Sequence, residues 1–240
     1  MNDLTFYIPE STPALRHAGR SLAEAGCTVT PALTAGTTHV LLGVPTGEIT
    51  MDLESLPTEV TICGGKLDRP ALEGRKVLDL LADPVYTAEN AAITAHCAIR
   101  IAAEKLPVVW TGTPVLILGW GRIGKCLGQL LKALGAEVDI AARKPGDRAI
   151  LLALGYEALD PGSIGALNRF RVIFNTAPAM VISDADVVRC RPDGVKIDLA
   201  SAPGIGGSGV IWARGLPGKM APESSGQLIA RTILRLAKEA

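Results

Sequence analysis

A glycine-rich segment in the second half of the chain constrains its fold more than any other feature. An apolar run at 115–118 leads directly into Gly119-Trp120-Gly121-Arg122-Ile123-Gly124, and leucines at helical spacing follow as far as residue 134. A GxGxxG pattern between a strand and an amphipathic helix is typical of the first βα turn of a Rossmann fold. The alternative, an ordinary glycine-rich turn, is disfavoured by this context. We therefore predict that residues 119–124 bind the pyrophosphate of a dinucleotide at a helix N-terminus.

The rest of the chain alternates short apolar runs with stretches of helical period, which indicates βα units and parallel sheets. We predict an α/β protein with two Rossmann-like lobes, the C-terminal one a doubly wound parallel sheet. The predicted domains are a small N-terminal lobe on the substrate side (1–85), a long linking helix (86–106) and a dinucleotide-binding domain with a C-terminal helix (107–240). The predicted strands are 4–8, 39–44, 59–63, 76–81, 115–118, 137–141, 171–174 and 195–199, and the predicted helices are 12–25, 87–105, 122–134, 148–154 and 223–238.

Composition excludes several classes of protein. With 48% hydrophobic residues the chain is not intrinsically disordered, and Lys+Arg and Asp+Glu cancel at 24 each. The absence of a net positive charge, with aromatics at 4%, argues against nucleic acid or an anionic membrane as a partner. No apolar stretch approaches the roughly 18 residues of a membrane span. Five cysteines without a CxxC pair favour reduced thiols over disulfides or zinc, so we expect a cytoplasmic protein without a metal site.

The residues after the second predicted strand of this domain distinguish between the two nicotinamide dinucleotides. NAD-binding chains usually carry an acidic residue about 20 residues past the glycine loop, where it accepts from the ribose 2′-OH. Here that place holds Ala142, and Arg143 and Lys144 follow. A guanidinium can bind a 2′-phosphate through two parallel hydrogen bonds, and the lysine adds a second charge. We therefore predict that the cofactor is NADP rather than NAD, the alternative being a pair of solvated loop cations.

Four further motifs carry a family resemblance. Asn175-Thr176-Ala177-Pro178 follows one predicted strand, and Asp198-Leu199-Ala200-Ser201-Ala202-Pro203-Gly204 overlaps the end of the next. Gly215-Leu216-Pro217-Gly218-Lys219-Met220-Ala221-Pro222 precedes the terminal helix, and Tyr86-Thr87-Ala88-Glu89-Asn90-Ala91 begins the linking helix, for which Thr87 is the predicted N-cap. Together these motifs resemble the family of dipicolinate synthase A subunits, from about residue 86 to the C-terminus.

The resemblance implies oxidation of a dihydrodipicolinate with hydride transfer to NADP, during the synthesis of dipicolinic acid in sporulation. It also implies two α/β lobes with the active cleft between them. The partner implied by the resemblance is the flavoprotein-like B subunit of that enzyme, and we further expect the chain to form an oligomer. The chain departs from the family pattern at Ala202, where a basic residue is common, and at 223–225, where Glu-Ser-Ser replaces Lys-Thr-Ala. Two alternatives therefore stay open: a dehydrogenase of another small carboxylic acid, and a dinucleotide-binding regulatory subunit without turnover.

Loops at the carboxyl ends of parallel strands usually face the ligand, which gives the remaining candidate residues. For the cofactor these are Asn175, Thr176, Ala177, Leu199 and Ala200, in addition to residues 119–124, 143 and 144. For the substrate they are Thr87, Glu89, Ser201 and Lys219, and for acid–base catalysis Glu89, Lys219 and His96. Each has a structural alternative: Glu89 would also favour the helix dipole, and a loop lysine is often merely solvated.

Overall fold

The structure is a computed structural model that describes residues 4–49, 51–53 and 55–239. The chain forms two compact units, the first made of Met1–Ile93 with Pro217–Ala240 and the second of Thr94–Leu216. The strands are β1 (Thr5–Tyr7), β2 (Thr28–Thr30), β3 (His39–Leu41), β4 (Thr61–Gly64), β5 (Val77–Asp79), β6 (Pro114–Leu118), β7 (Glu137–Ala141), β8 (Glu157–Leu159), β9 (Val172–Asn175), β10 (Val195–Asp198) and β11 (Val210–Trp212). The α-helices are α1 (Pro13–Glu24), α2 (Pro84–Lys105), α3 (Arg122–Ala133), α4 (Pro145–Ala153), α5 (Asp184–Val187), α6 (Leu216–Met220) and α7 (Pro222–Glu239), with 3-10 turns at Pro70–Leu72, Pro161–Ser163 and Leu167–Arg169.

The first unit contains a five-stranded parallel sheet of order β2-β1-β3-β4-β5. This is the flavodoxin-like order, with its switch point between β1 and β3. Helix α1 begins after Thr12, whose hydroxyl accepts from the Leu15 amide at 3.3 Å. Its apolar face packs against α7, and both helices contribute to one core. That core contains Phe6, Leu15, Ala18, Leu22, Leu41, Leu80, Tyr86, Leu228, Ile229 and Ile233.

The second unit contains a six-stranded parallel sheet of order β11-β10-β9-β6-β7-β8. Numbered within this unit, the order is that of the Rossmann fold, 3-2-1-4-5-6 read from the other edge. The chain moves outward from β6 to β8 and then returns to β9 on the other side of β6, so the switch point lies between β6 and β9. The predicted α/β class with Rossmann-like parallel sheets is therefore confirmed.

Two parts of the predicted organisation differ from the structure. The C-terminal helix, predicted within the 107–240 domain, groups with the first unit because its apolar face, including Leu228 and Ile233, belongs to the core shared with α1. The linking helix begins at Pro84, so Thr87 is not its N-cap. Instead the Asp83 carboxylate accepts from the Tyr86 amide at 2.7 Å, and the Thr87 hydroxyl donates to the carbonyl of Asp83, the residue before the helix. Among the described residues, no helix combines the length and apolar character needed to cross a bilayer.

Candidate dinucleotide-binding site

The loop between β6 and α3 is tightly held against the end of β9. Gly119 has φ +106°, a conformation that side chains disfavour, and a Cβ there would lie 2.6 Å from the Thr176 hydroxyl. That hydroxyl donates to the Leu118 carbonyl at 3.0 Å, and the Thr176 amide donates to the same oxygen at 2.8 Å. A Cβ at Gly124 would overlap the Gly119 carbonyl oxygen. The first and third glycines of the motif are therefore required by the packing of the loop itself.

The second glycine of the motif is different, because outside its own and the two adjoining residues no heavy atom lies within 4 Å of the place where its Cβ would stand. Gly121 is the N-cap of α3, whose first turn has no side-chain cap and no acidic residue. Amide N–H groups at a helix N-terminus, with the positive end of the helix dipole, favour an anion. The open space at Gly121 and the uncapped helix together fit the pyrophosphate of a dinucleotide.

A cavity of about 830 Å³ lies beside this loop, within the usual range for small-molecule sites. It is at the switch point between β6 and β9, where ligands of doubly wound sheets bind. The Trp120 ring borders it and packs edge-on against Tyr156, with ring centroids 5.9 Å apart. The lining consists of Leu118, Gly119, Trp120, Gly121, Ala141, Ala142, Arg143, Lys144, Asp147, Pro161, Gly162, Thr176, Ala177, Pro178, Ala179, Met180, Val181 and Asp186. Arg122, Ile123 and Gly124 support the loop from α3 and are not part of this lining.

The end of β7 provides one wall of the cavity. Ala142 is buried, whereas Arg143 and Lys144 are exposed cations that line the cavity. No carboxylate occupies position 142, but Asp147 in the first turn of α4 also lines the cavity. The Arg148 guanidinium donates to the carbonyl oxygens of Ala142 and Arg143, at 2.8 and 2.9 Å. Neither Asp147 nor Arg148 is among the site residues predicted from the sequence.

Asn175 and Asp198 form a buried network behind the cavity. Asn175 is fully buried, and its amide nitrogen donates to the Asp198 carboxylate at 2.9 Å and to the Ala177 carbonyl at 3.0 Å. Asp198 also accepts from the backbone amides of Ala200, Gly204 and Ile205. Asp198 thereby holds the loop that follows β10. Asn175 shapes the Thr176–Pro178 turn from behind, whereas Thr176 and Ala177 reach the cavity.

The other predicted residues of the second unit lie outside the cavity lining. Leu199 and Ala200 are buried, and their backbone groups bond to Asn175, Asp198 and Trp212. Ser201 is exposed. Its carbonyl oxygen accepts a hydrogen bond from the Arg214 guanidinium at 2.8 Å, and its hydroxyl takes no part in that bond. His96 is exposed on α2. Within the described residues, no group of three potential metal ligands occurs.

The remaining substrate candidates belong to the first unit. The Glu89 carboxylate forms an ion pair with Arg231 of α7, a contact that sequence spacing could not predict. The Thr87 hydroxyl donates to the carbonyls of Asp83 and Pro84. Lys219 is exposed in the short helix α6 rather than in the predicted loop. Glu89 and Thr87 are therefore engaged in contacts within their own unit.

Together the sheet order, the glycine loop and the cavity define a Rossmann-type dinucleotide-binding fold. No protein-family model matches the chain. The A subunit of dipicolinate synthase from Bacillus subtilis (strain 168) is 27% identical over 174 residues, which are 69% of this chain and 59% of that protein. The matched region is thus less than two thirds of the length of this curated relative.

Two solved structures of dipicolinate synthase share the fold. The A subunit of the enzyme from Bacillus halodurans has a TM-score of 0.85 at 21% identity, covering 98% of both chains. The A chain of dipicolinate synthase from Bacillus subtilis has a TM-score of 0.81 at 21% identity, covering 100% of this chain and 97% of that one. The similarity to the dipicolinate synthase A subunits predicted from the sequence motifs is confirmed.

Proposed function

We propose that the chain is an NADP-dependent oxidoreductase. The observation that carries the proposal is the cavity at the switch point of the second sheet, which joins an open glycine at a helix N-terminus to two exposed cations. The similarity to the A subunits of dipicolinate synthase supports the same class of activity.

The charges around the cavity favour a phosphate. The described lining contains two carboxylates, and that of Asp186 already accepts from Ser183 and pairs with Arg189. The negative charge of Asp147 would repel a bound phosphate, but the two positive charges of Arg143 and Lys144 exceed it.

Each part of the cavity has a binding role in this proposal. The amides at the start of α3 would hold the pyrophosphate, and Gly121 would let it approach the backbone. Arg143 and Lys144 would bind the 2′-phosphate, while Thr176 and Ala177 would border the nicotinamide ribose. When bound, NADP supplies a hydride acceptor. The protein's contribution is to fix its orientation and to exclude water from one face.

For the substrate we propose a dihydrodipicolinate, because the relatives are named as dipicolinate synthases. The corresponding partner would be the flavoprotein-like B subunit. The chain would act as an oligomer in the cytoplasm, where its five free cysteines would stay reduced. Another small carboxylic acid is the alternative substrate, because the cations expected near 202 and 223–225 are absent from the sequence.

A second candidate function, a dinucleotide-binding subunit without turnover, is favoured by one observation. Glu89, one of the three candidates for acid–base catalysis, pairs with Arg231 of α7 within its own unit. General acid–base catalysis needs a group within hydrogen-bond reach of the proton that it transfers. A chain without such a group could still bind NADP and regulate a partner.

The proposals can be separated by binding and turnover measurements on the purified chain. Dissociation constants for NADPH and NADH are measured by titration. NADPH formation is followed after adding NADP and freshly generated dihydrodipicolinate, with and without the partner flavoprotein. Preferential NADPH binding with turnover supports the oxidoreductase. Tight NADPH binding without turnover in either condition supports the regulatory role. Binding of neither dinucleotide would refute both.

The cofactor choice has its own test in Arg143→Glu, which places a negative charge opposite the 2′-phosphate. We expect NADPH affinity to fall at least about tenfold, while NADH affinity changes little. Arg20→Glu is the control, because Arg20 is an exposed arginine of α1 in the first unit and gives the same change in charge. An equal loss of NADH affinity, or no loss at all, would contradict the role of Arg143.

A further inference from the structure

Arg148 occupies a position that links two walls of the cavity. Its Nη1 lies 2.8 Å from the Ala142 carbonyl oxygen, 2.9 Å from that of Arg143 and 3.0 Å from Asp160 Oδ2. The first two contacts bind it to the turn that carries Arg143 and Lys144. The side chain is only 24% exposed, so it lies against the protein rather than extending into solvent.

The third contact reaches the segment after β8, the strand that pairs with β7. Asp160 accepts from the Gly162 amide at 2.9 Å and so begins the 3-10 turn at Pro161–Ser163. Pro161 and Gly162 line the cavity, as do Arg143 and Lys144. The guanidinium therefore adds a side-chain link between the turn after β7 and the segment after β8, beside the backbone hydrogen bond that the Ala142 amide donates to the Leu159 carbonyl oxygen at 3.0 Å. No other ion pair among the described residues joins these two walls.

We infer that Arg148 is a positioning residue for 2′-phosphate recognition, which it performs by fixing the backbone of the turn that presents Arg143 and Lys144. This inference rests on the proposed NADP function. Recognition by a planar guanidinium depends on its direction, because both of its parallel hydrogen bonds must meet the phosphate. The direction of the Arg143 side chain follows from the backbone at 142–144, whose two carbonyls Arg148 holds. Its own charge is offset by Asp160, so its contribution is to geometry.

The first experiment measures dissociation constants for both NADPH and NADH. Arg148→Gln removes the charge-assisted contacts and should weaken NADPH binding about tenfold, while NADH binding changes less than about twofold. Asp160→Asn breaks the link between the walls without touching the turn, and should lower the same preference by a smaller factor. Arg171→Gln is the matched control, because Arg171 is 27% exposed, pairs with Asp193 at 3.4 Å and does not line the cavity.

A second experiment asks whether Arg148 acts through the cations. In a background of Arg143→Gln with Lys144→Gln, adding Arg148→Gln should reduce NADPH affinity no more than it reduces NADH affinity. A purely structural role would instead lower both affinities by the same factor in either background. That result, or an unchanged preference in both Arg148→Gln and Asp160→Asn, would overturn the inference.

The wild-type titration separates this inference from the proposed function. If the unmodified chain binds neither dinucleotide or prefers NADH, the proposed NADP function fails, and the inference fails with it. If the unmodified chain prefers NADPH and the preference survives Arg148→Gln and Asp160→Asn, only the inference fails. If Arg148→Gln does not fold, Asp160→Asn decides the question through the same ratio.

Discussion

Asp198 and Asn175 lie at the ends of neighbouring strands and determine the shape of the loops that follow them. Asp198 is 1% exposed, and its two carboxylate oxygens accept from one side-chain amide and three backbone amides. Those hydrogen bonds offset the cost of burying a charge. Since every group facing the carboxylate in these contacts is a donor, only a group with two accepting oxygens satisfies the site.

Asp198→Asn tests whether the site needs two accepting oxygens. Either orientation of the new amide places an NH₂ group against two N–H donors, so we expect unfolding to become easier by about 2–4 kcal/mol. Chemical denaturation monitored by fluorescence measures the change. Asp193→Asn is the control, because Asp193 is a 59% exposed aspartate that pairs with Arg171 and Arg191, and it should leave the midpoint nearly unchanged. Equal midpoints for Asp198→Asn and the unmodified chain would contradict the assignment.

The roles of the residues in the glycine loop could be predicted from the sequence, because each residue acts through its own backbone and its immediate neighbours. The contacts of Glu89 and Arg148 could not. The partner of Glu89 is 142 residues away in the chain, and Arg148 acts on carbonyl oxygens, which every residue possesses. Sequence spacing carries no information about either contact. The predicted catalytic candidates therefore stay predictions, whereas the loop glycines have a clear structural basis.

The β6–α3 element allows a comparison of two neighbouring glycines. Gly121→Ala should lower stability by no more than about 1 kcal/mol, because alanine is a poorer N-cap than glycine. The φ of −80° suits alanine, and beyond the adjoining residues the new methyl group meets no heavy atom within 4 Å. The methyl group would, however, occupy the space that we assign to the pyrophosphate. We expect dinucleotide affinity to fall roughly tenfold to a hundredfold, the equivalent of one overpacked methyl group. Titration with NADPH and thermal unfolding separate the two effects.

Gly124→Ala is the matched variant for that comparison. Its methyl group would overlap the Gly119 carbonyl oxygen, so both stability and affinity should decrease. If Gly121→Ala bound NADPH as tightly as the unmodified chain, the pyrophosphate would have to lie elsewhere. If Gly124→Ala were as stable as the unmodified chain, α3 could not pack as closely on the loop at Gly124 as described.

Among the elements, the three-residue strands β1, β3 and β5 could be predicted because each lies within a longer apolar run, whereas three other strands of that length could not. Helix α3 and strand β7 match their predictions to within one residue. Strands β2, β8 and β11 have three residues each, too few to reveal a period of two, and all three are at sheet edges. The start of α2 was misplaced by three residues because Asp83 rather than Thr87 supplies the first hydrogen bond.

The return of the C-terminal helix α7 to the first unit depends on close contact with α1. A Cβ at Gly226 would lie 2.5 Å from the Ala14 carbonyl oxygen and 2.6 Å from the Ala18 amide nitrogen. Gly226→Ala should therefore force the helices apart and destabilise the first unit by about 1–3 kcal/mol, measured by denaturation. Gly218→Ala is the control, because its methyl group would meet only Ala14 Cβ, at 3.8 Å. Equal stability of both variants would contradict the packing.

The acid sensitivity of the whole molecule should depend on one buried imidazole in the first sheet. Burial lowers the pKa of His39, which is 8% exposed. Its ring packs against that of Phe6, with the two ring centroids 4.8 Å apart. Because the folded pKa lies below the ordinary value of 6.5, the unfolded chain takes up the proton first, and stability falls as the pH drops below about 6.5. Burial raises the pKa of Asp139, which acts in the opposite direction, and Arg169 partly offsets that rise.

A variant isolates the histidine from this opposing carboxylate. His39→Gln should reduce the loss of stability between pH 7 and 5, by at most about 1.4 kcal/mol per pH unit, while the carboxylate contribution stays. Denaturation midpoints across that range provide the slope, and His96→Gln, at an exposed position of α2, should keep the unmodified slope. Asp83 cannot account for a change in this window. Burial raises its pKa, but the Tyr86 amide and Arg235 outweigh that effect, and the pKa is lowered below the ordinary value of 3.8. An identical slope for His39→Gln and the unmodified chain would show that protonation of His39 does not lower the stability of the fold.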